Sequence, residues 1–115
     1  MLIRIVGTVA VVFVLAASPV AAHDEFRIVG SIVATDSRAR VLTVRMIPQP
    51  GDDADVVERN VRIALPTWVT TERDGKPIAL ADLKAGLYVV VDATGHDYTD
   101  LEAVKVRIVP PPPRR

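Results

Sequence analysis

Apolar and polar positions change rhythm along this chain, and each change marks a boundary. From Ile5 to Ala17 the residues form an apolar run behind the positive start Met1-Leu-Ile-Arg4, and Ser18-Pro19-Val20-Ala21-Ala22 leads to an abrupt return of charge at His23-Asp24-Glu25. From Phe26 onward the pattern becomes the two-residue alternation of strands. It predicts strands over Phe26–Thr35, Val41–Ile47, Val56–Leu65, Leu87–Ala93 and Leu101–Val109. The first carries Gly30 at its middle, where a bend or bulge is expected. In the third, Arg59, Val61, Ile63 and Leu65 follow Val57 on one face, and Trp68–Thr71 is a short extension beyond Pro66. Arg73-Asp-Gly-Lys-Pro77 has turn chemistry, with Pro77 expected to stop further pairing. A single short helix is predicted over Leu80–Ala85, closed by Gly86.

The opening segment has the three parts of a secretory signal: positive start, apolar middle, small residues before a cut. Val20 and Ala22 stand three and one positions before the bond to His23. The apolar run is shorter than the roughly 20 residues that cross a hydrocarbon core. The expected organisation is therefore a signal peptide over residues 1–22, a domain over 23–109 and a disordered Pro-rich tail over 110–115. The mature protein is expected in the periplasm or outside the cell, with no stable membrane insertion after cleavage.

Three strands, a short helix and two further strands, in so short a domain, point to an all-β fold. The expected architecture is a small five-stranded OB-like Greek-key barrel with its helix between strands three and four. The chain has no cysteine, so disulfides cannot staple it, and a closed sheet without long edges suits that constraint. The missing thiols also exclude thiol catalysis, thiolate metal sites and a lipoprotein anchor.

Strand one with Gly30 and Val33-Ala-Thr-Asp36, Leu42-Thr-Val44, Asp74-Gly-Lys-Pro77, Leu83-Lys-Ala-Gly86 and Ala103-Val-Lys-Val-Arg-Ile108 together resemble the small exported OB-fold domains of bacteria. The resemblance spans nearly the whole mature chain, and its motifs are structural. It implies the fold and a place in the cell envelope. A second comparison is with small periplasmic copper chaperones of OB-like form, which use a histidine, a tryptophan and methionines on the barrel wall. Met46 and Trp68 fall in comparable regions, but no histidine is near them in sequence and Met1 is the only other methionine. Alternation with Leu42 and Val44 instead makes Met46 a core residue, and Trp68 reads as a core or rim aromatic.

Basic and acidic residues balance at 14 each, and aromatics are only 4% of the chain. A nucleic-acid partner is not expected, because phosphate neutralisation supplies most of that affinity. No nucleophile–base–orienter pattern is present, so the chain reads as non-catalytic. Asp52-Asp53-Asp55 lacks the spacing of a calcium loop and reads as a solvated loop.

Two candidate sites remain. Cleavage after Ala22 would leave His23 with an α-amine and an imidazole, two nitrogen donors for one metal ion. In an OB barrel the start of strand one lies beside the end of strand four, which brings His96 toward His23. Copper(II) favours such nitrogen-rich ligation. Asp24 and Asp97 flank the histidines as further ligands or as acceptors for imidazole N–H. Separately, Arg45 and Arg62 on the outer wall of strands two and three, with Arg38 and Arg40 in the adjoining turn, form a candidate surface for a small anionic ligand or an envelope protein. A purely structural interaction domain is the third reading.

Overall fold

The structure, a computed structural model, describes residues 24–112. The segment expected to be a signal peptide, His23 and the end of the expected tail lie outside the described residues. Seven strands form one sheet: β1 (Asp24–Asp36), β2 (Val41–Met46), β3 (Arg59–Ala64), β4 (Thr70–Arg73), β5 (Lys76–Pro77), β6 (Tyr88–Gly95) and β7 (Leu101–Val109). Their order is β3-β2-β1-β6-β7-β4-β5, and a further parallel pairing of β3 with β7 closes the sheet into a ring. Five long strands in the ring order 1-2-3-7-6 are those of an OB-like barrel. The all-β expectation holds.

The interior is apolar. Ile28, Leu42, Val44, Ile63, Val89, Val91 and Val106 have no more than trace exposure, and among the described residues no polar or charged residue is buried. Met46 joins this core at 2% exposure, as alternation predicts. Trp68 does not: it is 56% exposed, on the rim beyond β3. Val57 is likewise exposed, because β3 begins only at Arg59.

The barrel curves through two bulges. Pairing of β1 with β2 slips between Ile32 and Ala34, which makes Val33 the extra residue. Pairing of β6 with β7 slips where Asp92 and Ala93 face Lys105 and Ala103, so Val104 is extra. An extra residue sharpens twist and bend, as closure of a small barrel requires. Val33 and Val104, 43% and 41% exposed, are outward for this reason. The bulge expected at Gly30 therefore lies three residues further on. Gly30 has another role: a Cβ there would lie 1.8 Å from the carbonyl oxygen of Arg45, so β1 and β2 approach closely only because residue 30 has no side chain.

The helix shrinks to one 3-10 turn, Leu80–Asp82. Asp82 Oδ2 accepts the N–H of Ala79 at 3.1 Å, and Leu83 already has an extended backbone that drops its side chain into the core. An isolated six-residue helix recovers too few hydrogen bonds to offset its nucleation. The extension after Pro66 becomes β4, which runs parallel to β7. It turns back through Asp74 (φ 54°) and Gly75 (φ 77°), the two positive-φ positions of a tight hairpin. Pro77 does not prevent pairing; it sits opposite Glu72 in the two-residue edge strand β5, where a missing N–H is tolerated.

Candidate functional site

β1 and β6 are antiparallel with Asp24 opposite Gly95. The loop that follows Gly95 thus stands at the barrel end where β1 starts. Asp100 organises that loop. Its Oδ1 accepts the backbone N–H groups of His96 at 2.8 Å and Asp97 at 3.1 Å, and its Oδ2 lies 2.6 Å from His96 Nδ1. These bonds, the Asp97 N–H first and the His96 imidazole next, hold the Asp100 carboxyl at about 2, below the ordinary 3.8. With Nδ1 on a carboxylate, ligation by this ring would run through Nε2, and the exposed imidazole is oriented by its neighbour.

Asp97 has a different job. Its Oδ1 accepts the N–H of Thr99 at 2.7 Å and the Thr99 hydroxyl at 2.5 Å, and these bonds lower its carboxyl below the usual range. The carboxylate on the imidazole is Asp100, which sequence reasoning missed. Its signal was present: an aspartate four residues after His96, at the end of a loop, where Asp side chains commonly satisfy backbone N–H groups. Asp24 is exposed at the start of β1. Below the loop, Tyr98 meets Phe26 edge-to-face with centroids 5.1 Å apart, and the Arg59 guanidinium lies 4.9 Å from the Tyr98 ring centre. Among the described residues, no three His, Cys, Asp or Glu side chains form a group that could hold a metal ion.

The four arginines separate into two pairs. Arg45 Nη1 is 2.8 Å from Glu58 Oε2. Arg40 turns inward at φ 54° and donates from Nε to the Leu65 carbonyl at 2.7 Å and from Nη2 to the Pro66 carbonyl at 3.0 Å. It fastens the β1–β2 turn to the end of β3. Arg38 and Arg62 line one shallow hollow on the outer wall.

No protein-family model matches the chain, and no curated protein matches it in sequence. Solved structures do share its form. Silver(I)-bound CusF aligns with a TM-score of 0.56 at 10% identity, over 75% of this chain and 99% of CusF. A copper(II)-bound tryptophan-to-alanine variant of CusF from Escherichia coli aligns with a TM-score of 0.58 at 11% identity, over 84% of this chain and all of that one. The likeness is one of fold. Met46 and Trp68 do not make a wall site of their own, since one is enclosed in the core and the other stands on the rim. No helix among the described residues is long and apolar enough to cross a membrane.

Proposed function

We propose that the protein is an exported, non-catalytic binding or accessory module of the cell envelope, built on an OB-like barrel. The observation that carries this reading is the wholly apolar interior among the described residues. Among the described residues every charged side chain therefore stands on the wall or at an end of the barrel, where binding surfaces of this architecture lie. Native mass spectrometry of the protein isolated from the envelope tests it. A mass beginning at His23, with a metal, small anion or envelope protein attached, is the expected result. A mass beginning at Met1 would overturn export, and chemical turnover of the attached ligand would overturn the non-catalytic role.

A second reading is favoured by the barrel-end geometry: a copper ion held by the His23 α-amine and imidazole with His96. The pairing of Asp24 with Gly95 supports it by directing β1 toward the His96 loop, and the bond from His96 to Asp100 supports it as an orienting contact. The fold likeness to silver(I) and copper(II) forms of CusF agrees with it. Three nitrogen donors suit copper(II). Copper(II) titration of protein starting at His23, compared with His96→Ala and with a form bearing one added residue before His23, is the test. Loss of affinity and of nitrogen couplings in both comparisons is expected; unchanged binding in His96→Ala sinks the reading.

A further inference from the structure

The second ring-exterior feature stands at the opposite end of β1. There the β1–β2 turn meets the outer wall of β2 and β3 in an open hollow of about 530 Å³, whose lining includes Thr35, Asp36, Ser37, Arg38, Thr43 and Arg62. Its residues differ in what they already hold. Asp36 Oδ1 accepts the N–H groups of Arg38 and Ala39, at 3.1 and 3.0 Å, and so serves the turn. Arg45 and Arg40 are committed to Glu58 and to the carbonyls of Leu65 and Pro66. Among the described residues the guanidinium groups of Arg38 and Arg62 are in no hydrogen bond or ion pair. The two uncommitted forks thus share one hollow with three hydroxyl side chains.

We propose that this hollow binds an acidic saccharide, with the guanidinium forks taking a sugar carboxylate and the Thr35, Ser37 and Thr43 hydroxyls meeting ring hydroxyls. A guanidinium pairs with a planar carboxylate through two parallel bonds. No aromatic side chain lines the hollow, so bases have no stacking platform. Ala34 and Val41 are its only apolar lining residues, too little apolar surface to cover an acyl chain. The wall of the second and third barrel strands, with the turn between the first and second, is a surface on which OB-folds take oligosaccharides. The inference rests on the binding-module reading and names the ligand class; it is independent of the copper reading, whose His96 loop lies at the other end of β1.

The probe is trigalacturonate, titrated at low salt into the full mature protein and followed by amide chemical shifts, with neutral maltotriose and acetate alongside. Shifts are expected at Ser37, Arg38, Thr43 and Arg62. Affinity should fall about tenfold in Arg38→Ala, which alters only an exposed turn, and in Arg62→Ala, as expected for loss of hydrogen bonds to a charged group. Arg62→Lys should fall between, and Arg45→Ala should bind as the parent does. Equal binding by Arg38→Ala and Arg62→Ala, or by acetate or maltotriose, overturns the proposal, as does the absence of shifts at these residues. Recovery of shortened sugar would instead overturn the non-catalytic role and leave the site in place.

Discussion

A methyl group on Gly95 would stand 2.8 Å from Asp100 Oδ1 and 3.0 Å from the Asp100 carbonyl oxygen. Asp100 can fold back under the His96 loop because residue 95 leaves it room. Gly95→Ala should push the carboxylate off the backbone N–H groups of His96 and Asp97 and loosen the loop. Faster hydrogen exchange at those two amides, with the barrel amides unchanged, is the expected readout.

Acid should release the same loop. Asp100 has a folded value of about 2 against an ordinary 3.8, so its contribution is complete above 3.8 and is lost as pH falls through about 2. The amide shifts of His96 and Asp97 should titrate together with a midpoint near the lower value. Asp100→Asn should abolish that transition; a midpoint near 3.8 in the parent would contradict the geometry.

Gly30→Ala tests the approach of the first two strands. The added Cβ would meet the Arg45 carbonyl, backbone that cannot rotate away. A loss of about 3 kcal/mol is expected from overpacking of this kind, read as a lower denaturant midpoint with an unchanged slope. Val33→Ala, at the outward bulge, should leave stability within about 0.5 kcal/mol, as exposed substitutions usually do.

Arg40 and Arg38 are neighbours in one turn with opposite expectations. Arg40→Ala removes two bonds to carbonyls at the end of β3 and should cost about 2 kcal/mol, in the range of bonds made by charged donors. Arg38→Ala should not change the melting temperature measurably. Similar losses in both would mean that the turn is held in some other way.

The strand order, the ends of β7 and the inward place of Met46 were legible because alternation reports directly on which side of a sheet is buried. Gly30 was visible as special, but its reason was not. A glycine in a strand marks a bulge or a close approach, and only the register separates the two. The bulges themselves fell at Val33 and Val104, residues with no local sign of irregularity, because closure of the ring selects them. Leu80–Ala85 has helical composition, but the descent of Leu83 into the core ends the helix after one turn. At the barrel end the meeting of β1 with the loop after β6 followed from topology, but the division of labour between Asp97 and Asp100 did not. Both are loop aspartates, and spacing alone does not tell which carboxylate caps Thr99 and which reaches the imidazole. Likewise, four arginines look equivalent until their hydrogen-bond partners are known.

The ring is fastened unevenly. β1 and β6 match along eight residue pairs, whereas β3 meets β7 only through Ile63 with Leu101 and Ala64 with Glu102. The latter is a seam, and the chain behaves there like a curled sheet held by its last stitch. Thermal opening should start along it, freeing the edge of β3 while the β1–β6–β7 layers stay paired. Crowded or prolonged storage would then favour exchange of β3 between two molecules, a route to dimers that needs no new surface.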